Sequence, residues 1–300
     1  MEAIQKIDIH AHATAFPQWI PHNPRTGQKF LGAEELLAFY DRLNIESGVL
    51  LPLAAAEGQW FTMTSENCKW LTEQYPERFL WFCGVDPRMG DNHEKTDLAY
   101  LIGHYRALGA KGVGELTAQL YADDPLLDHL YDALEETGMP LTVHIATKFG
   151  GGYGIVDELG LPRLENMLKK HPDMKLLGHS QVFWSEISAD VTEANRGGYP
   201  TGKVTEGRIS KLMREYGNLY CDLSAGSGAN ALMRDPEFAA RFIEEFSDRL
   251  LYGCDICSVV NQKVFAFDAF LTDMRQNGLI SEANYRKIVR ENAVKLLGLS

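Results

Sequence analysis

The chain has 300 residues, 45% of them apolar, and a formal net charge of −12. That acidity excludes a nucleic-acid polymer as the expected partner, because its phosphates would be repelled. The opening MEAIQKIDIH lacks a signal-peptide pattern, no run approaches the ~18 apolar residues of a membrane span, and five scattered cysteines fit a reducing cytoplasm better than a disulfide framework.

Eight short apolar runs follow in chain order. They are KIDIHAH from Lys6, SGVLLPLA from Ser47, FLWFCGVD from Phe79, AKGVGELT from Ala110, PLTVHIAT from Pro140, KLLGHSQ from Lys175, LYCDLSA from Leu219 and LLYGCDIC from Leu250. Their starts lie 30 to 44 residues apart, which is what a strand and its returning helix need. Between them, DPLLDHLYDALEETG sets Leu127, Leu130, Tyr131 and Leu134 on one helical face and stops at Gly138. LPRLENMLKKHP does the same with Leu161, Leu164, Met167 and Leu168, and Pro172 closes it. The C-terminal SEANYRKIVRENAVKLLGL reads as helix, broken near Asn292. Apolar strands alternating with amphipathic helices imply a parallel sheet covered on its faces, and eight such units predict a closed (β/α)8 TIM barrel. A doubly wound open sheet is the rival, weakened because no G-x-G-x-x-G follows the first strand. No linker-like or low-complexity segment divides the chain, so residues 1–300 read as one domain.

The reactive face of such a barrel is formed by the C-terminal ends of its strands. Costly polar residues fall there. His10 and His12 end the first run, pointing the same way by strand alternation, with Asp8 alongside. Glu115 comes late in the fourth run, His144 lies in the fifth, His179 ends the sixth and Asp255 ends the eighth. Singly, each has a plain alternative: His144 as a hydrogen-bonded core histidine, Glu115 as a partner of Lys111. Together they supply imidazole nitrogens and carboxylate oxygens, a set that suits zinc, manganese, iron or nickel. His104, His129 and His171 fall in helices or turns elsewhere; in CDIC, Cys254 reads as packing and Cys257 as a neighbour of Asp255. Arg88, Lys148, Arg196 and Lys203 follow strands whose loops should cover the mouth, which points to a small anionic substrate. Trp19, Tyr153, Trp184 and Tyr199 sit on long loops, where they could wall a planar pocket or equally pack beneath the loop.

The order H-x-H, Glu, His, His, Asp on successive strands resembles the amidohydrolase superfamily. The stretches IDIHAH, LENMLKKHPDMKLLGHS, LLYGCDI and ENAVKLLGL are similar to its amidohydrolase-2 branch, which includes aminocarboxymuconate-semialdehyde decarboxylase, aromatic-acid decarboxylases and dicarboxylate lactonases. This resemblance implies that His10, His12 and His144 are metal ligands, that His179 assists the reaction or binds a second ion, and that Asp255 is both ligand and proton acceptor. Members that decarboxylate hydroxybenzoates often carry E-x-H where this chain has H-x-H. Glu115 in VGEL is also similar to the bridging glutamate of TatD-like two-metal enzymes, which leaves one ion or two. The implied activity is metal-dependent hydrolysis of an ester, lactone or amide in a small anionic substrate, with zinc the first expectation. Arg88, Lys148, Tyr153 and Trp184 are the candidate substrate contacts and Asp255 and His179 the candidate catalytic residues. Non-oxidative decarboxylation with the same ligands is the alternative, a TatD-like phosphodiesterase a third reading, and a non-enzymatic barrel the fourth. A homo-oligomer is compatible with the chain and not required by it.

Overall fold

The computed structural model of the chain describes residues 4–24, 26–57, 60–150 and 152–299. Each apolar run carries a strand. In chain order these are β1 (Lys6–Ala11), β2 (Ile45–Leu50), β3 (Phe79–Trp81), β4 (Val113–Leu116) and β5 (Leu141–Ala146), then a two-residue β6 (Ile155–Val156), β7 (Leu176–His179), β8 (Leu219–Asp222) and β9 (Leu250–Leu251). All pair in parallel, as β1-β2-β3 and as β4-β5-β7-β8-β9, with β6 an extra strand on β5. Two further parallel bridges, Cys83 with Val113 and Ala11 with Ile256, join the arcs at both seams. The Ile9 N–H donates to the Tyr252 carbonyl at 3.0 Å on the second seam. The result is the eight-stranded barrel that the spacing predicts, β6 being the one unanticipated strand.

Ile7, Ile9, Val49, Leu51, Phe82, Leu177 and Leu251 form one apolar body inside the ring, with Ala293 and Leu297 of the C-terminal helix packed on it. A larger layer, including Leu36, Tyr131, Leu164, Leu212 and Phe242, lies between strands and helices. Burying each large side chain contributes roughly 1.5–3 kcal/mol. The helix Pro125–Thr137 begins where the Asp124 carboxylate accepts the Leu126 N–H and ends at Gly138, whose φ of 67° suits glycine. Leu161 precedes the helix Pro162–Lys170 rather than joining its face, yet is buried. At the C-terminus the expected break is a π-helical turn, Lys287–Glu291, immediately before Asn292. The Tyr252 N–H donates to the Ile288 carbonyl within that turn, and the Asn292 amide donates to the carbonyls of Ser247 and Leu250, which ties the helix to the barrel. Among the described residues no helix is long and apolar enough to cross a membrane.

Two irregular strands position the polar residues. Asp8 pairs with Gly48 and Ala11 with Leu50, so β1 advances three residues while β2 advances two. This bulge resets the side-chain alternation. Asp8, expected beside the histidines, turns instead to the helix Ala33–Leu43 and accepts the Tyr40 hydroxyl at 2.9 Å. In β4, Val113 pairs with Leu141 and Leu116 with Val143, again three residues against two, around a cis Gly114–Glu115 peptide. Gly114 holds φ +122°, and a Cβ there would meet the Thr142 carbonyl oxygen at 2.6 Å.

Gly48 supports the same arrangement, because a Cβ on it would lie 1.9 Å from the Tyr40 hydroxyl oxygen. Gly48→Ala must therefore displace Tyr40 from Asp8. The expected cost is about 1–3 kcal/mol, read as a lower urea midpoint at unchanged slope. An unaltered midpoint would mean that Tyr40 yields freely.

Candidate metal centre

His12 Nδ1 lies 2.8 Å from the Leu51 carbonyl, so this nitrogen carries the proton and Nε2 keeps its lone pair. His10 Nδ1 lies 2.6 Å from Asp222 Oδ2 and is committed the same way. The two Nε2 atoms are 3.0 Å apart. Two lone pairs at that separation repel unless a proton or a cation sits between them. Around this pair, Asp255 Oδ1 stands 3.6 Å from His10 Nε2 and 3.5 Å from His12 Nε2. Glu115 Oε2 stands 3.7 Å and 3.4 Å from the same atoms. The other carboxylate oxygens face a second imidazole pair. Glu115 Oε1 is 2.8 Å from His144 Nδ1, and Asp255 Oδ2 is 3.8 Å from His179 Nε2. The six residues singled out at the strand ends thus converge, and Glu115 and Asp255 each link the two halves.

The site is buried apart from Asp255, whose side chain is 25% exposed. Burial raises the carboxyl of Glu115, but hydrogen bonds from His10, His12 and His144 outweigh it and hold the group well below its usual range. Burial disfavours the His10 imidazolium, yet the charges of Asp222 and Asp255 carry His10 well above its ordinary value. Asp222 is raised by burial and drawn back below its usual range by His10 and His179. For His144, burial wins and the value falls. Among the described residues no Lys or Arg forms an ion pair with Glu115, Asp222 or Asp255. Positive charge must come from imidazole protons or from a cation that replaces them. A divalent ion fits the convergent nitrogen and oxygen donors, which fall into three overlapping sets: His10, His12 and Glu115; His10, His179 and Asp255; and Glu115, His144 and His179.

Of the other candidates, Tyr153 joins the site: its ring centre lies 4.2 Å from that of His144, and burial pushes its phenol up. Trp184, expected as a pocket wall, does not. It is 1% exposed, and its indole N–H donates to the Asp222 carbonyl at 2.8 Å, so it packs within the core. Arg88 spends its guanidinium on Asp86 and Glu57 rather than offering it to a substrate. Lys148 is exposed beyond β5. Arg196, expected as a cation over the mouth, is fully buried and donates to the Asp157 carbonyl, while Lys203 pairs with Glu237. Trp19 is 72% exposed and stacks on Phe16. Tyr199 is half-exposed, with its hydroxyl accepting from the Gln181 amide. His171 is engaged away from the site by Asp128 and Glu135.

Sequence reading missed Asp222. Its Oδ2 serves His10 and also lies 3.3 Å from His179 Nδ1, while the Ser224 hydroxyl lies 3.1 Å from that nitrogen. The signal was present, since a lone acid ends the apolar run LYCDLSA just as Asp255 ends the eighth. Carboxylates behind metal-binding imidazoles fix the tautomer that ligates. Asp222→Asn should therefore weaken divalent-metal affinity about 10- to 100-fold, measured by competition with a chromogenic chelator. Wild-type affinity in the variant would remove Asp222 from this role.

Comparison with known proteins follows the same lines. The amidohydrolase family model matches residues 7–299. No curated protein matches the chain. Among solved structures, the 2,6-dihydroxybenzoate decarboxylase from Rhizobium is 16% identical, with a TM-score of 0.62 over 99% of each chain. The 5-carboxyvanillate decarboxylase from Novosphingobium aromaticivorans, complexed with manganese, is 18% identical, with a TM-score of 0.63 over 99% of this chain and 97% of its own. A probable 2-pyrone-4,6-dicarboxylic acid hydrolase from Acinetobacter baumannii is 15% identical, with a TM-score of 0.60 over 98% of this chain and 100% of its own. With the family model spanning nearly all of the barrel, the chain belongs to the amidohydrolase family.

Proposed function

We propose that the chain is a metal-dependent hydrolase that cleaves an ester, lactone or amide bond in a small anionic substrate. The observation that carries this reading is the placement of Asp255. One oxygen faces the Nε2 pair of His10 and His12, the other faces His179, and the side chain is open to the barrel mouth. Its backbone holds φ +49°, a left-handed conformation, anchored by an N–H donated to the His10 carbonyl at 2.7 Å. Such conformations cost about 1–3 kcal/mol and collect at functional sites.

His10, His12, Glu115 and Asp255 would hold a divalent cation, zinc first on donor type, with manganese, iron or nickel as alternatives. A bound cation polarises a carbonyl and lowers the pKa of water from 15.7 towards about 7. Asp255 then takes a proton from the attacking water and passes it to the leaving group. Protonated on both nitrogens, with Nδ1 held from behind by Asp222 and Ser224, His179 would donate from Nε2 to the carbonyl oxygen as charge develops there. Glu115 would bridge if a second ion binds near His144 and His179. Tyr153 and Lys148 are the substrate contacts this reading retains, Tyr153 as a flat wall beside His144.

The second reading is a non-oxidative decarboxylase of a small carboxylic acid. It is favoured by the Tyr153 wall, which suits a planar acid, and by solved neighbours whose names are decarboxylases. Reaction in 18O-enriched water separates the two. Hydrolysis places the label in the product acid; release of carbon dioxide with no label in the organic product would establish the lyase. Asp255→Asn should lose about 10²- to 10⁴-fold in turnover while melting as the wild type does. Metal content by mass spectrometry should show one or two equivalents, reduced in the variant, and its stoichiometry assigns Glu115 to one ion or two.

A further inference from the structure

The chain leaving β4 carries Glu115 and then runs beside the chain that leads into β6. The Thr117 carbonyl accepts the Gly154 N–H at 2.8 Å, the Leu120 carbonyl accepts that of Val156 at 2.7 Å, and the Val156 carbonyl accepts the Ala122 N–H at 3.0 Å. Ahead of Gly154 a side chain takes over from the backbone. Gln119 Oε1 accepts the Gly150 N–H at 2.9 Å, and Gln119 Nε2 donates to the Gly152 carbonyl. A glutamine amide offers the donor and the acceptor of a peptide group, so it can stand in for a neighbouring strand.

Two features tie this clamp to the site rather than to the core. A Cβ built on Gly150 or on Gly152 would meet nothing within 4 Å, so open space surrounds both and the amide is what holds them to the chain beyond β4. Tyr153 then lies between Gly152 at φ +148° and Gly154 at φ +111°. Gly154 is pressed against β5, where a Cβ would sit 2.4 Å from the His144 carbonyl oxygen. The backbone is therefore fixed on that side, and the placement of Tyr153 depends on the Gly152 side. Its ring centre is 4.2 Å from that of His144, whose Nδ1 is in turn 2.8 Å from Glu115.

We propose that Gln119 is a positioning residue for Tyr153. Its two hydrogen bonds hold Gly150 and Gly152 where the phenol ring covers His144. A side chain outside the candidate metal centre thus decides how far the His144 side of that centre is open to solvent. The importance of this cover rests on the metal-dependent reading above; the contact between Tyr153 and His144 does not. Glutamate at this position keeps the acceptor for Gly150 and loses the donor for Gly152, whereas alanine loses both.

The test follows modification of individual histidines by diethyl pyrocarbonate in the full-length, metal-free protein, read by peptide mass mapping. Gln119→Ala should raise the rate at His144 about fivefold or more, as expected when one or two hydrogen bonds are lost, and Gln119→Glu should also raise it. Buried His171, held by Asp128 and Glu135, should react as in the wild type, because only the loop is released. Tyr153→Ala should raise the rate at His144 at least as much, and Gln119→Ala should add nothing in that background. An unchanged rate at His144 in Gln119→Ala, a rise shared equally by His171, or the full Gln119 effect in the absence of Tyr153 overturns the proposal. Added zinc separates this inference from the reading beneath it. If zinc shields His144 in the wild type, the metal reading stands; if His144 is indifferent to zinc while the variants still differ, Gln119 positions Tyr153 and the metal reading fails.

Discussion

One extra residue in β1, between Asp8 and Ala11, is the constraint on which the convergence of His10 and His12 with Glu115 and Asp255 depends. In a strictly alternating strand Ile9 and His10 would face opposite sides, and an Ile9 packed inside the barrel would send His10 outward. The bulge lets Ile9 fill the barrel while His10 reaches Asp222 and His12. A bulge leaves backbone N–H groups without ladder partners. Asp8 satisfies that of His10, which its Oδ1 accepts at 3.0 Å; the same oxygen accepts the N–H of Cys254 at 2.9 Å, and Oδ2 accepts the Tyr40 hydroxyl. Burial pushes this carboxyl up to about 7, against the pull of those hydrogen bonds. A carboxylate whose type and place suggest a ligand is therefore the brace that lets its neighbours converge, and it ties the first strand to the chain leading to Asp255.

The electrostatics of the centre follow from having, among the described residues, only carboxylates and imidazoles as partners in ion-pair range. Glu115 and Asp222 are held ionised by surrounding imidazoles, and those imidazoles are held in place by the same carboxylates. Neither half is stable alone in a buried setting, because an unpaired charge there is strongly disfavoured. A cation entering such a set displaces protons from the imidazoles, so its binding depends on pH and on how firmly each ring is oriented. Asp222 bears on both rings from one oxygen, which makes it the point where His10 and His179 are coupled.

Much of this was legible in the chain. Eight apolar runs at thirty- to forty-residue spacing specify the barrel, and the capped helices begin and end near Asp124, Gly138 and Asn292 because those signals are local. Residue type and strand end also suffice to collect His10, His12, Glu115, His144, His179 and Asp255. What escaped was whatever depends on a departure from the ideal period or on a partner distant in sequence. Asp8 was misplaced because alternation was carried through a bulge that no local signal marks. Trp184 and Arg196 sit on a segment that reads as an open loop, yet both are buried, Trp184 donating to the Asp222 carbonyl and Arg196 Nη1 to that of Asp157. Arg88 reads as a free cation until the chain brings Glu57 beside it.

These errors share a direction, and it separates chemistry from specificity in this barrel. The six convergent histidines and carboxylates sit at or just beyond strand ends, their positions set by hydrogen bonds to neighbouring strands, so residue type and position in the repeat locate them. The loops have no such repeat. After β7 the loop is pinned from inside, with Arg196 buried and its carbonyl accepting the Ser185 hydroxyl at 2.9 Å. After β1 the loop instead presents exposed Trp19 and Lys29, with Phe30 as its buried contact beside His12. Substitutions in the first kind of loop disturb the fold, whereas those in the second can change what is bound without touching a ligand. The β1 loop can therefore vary in sequence while the strand ends that carry the six convergent residues stay in place.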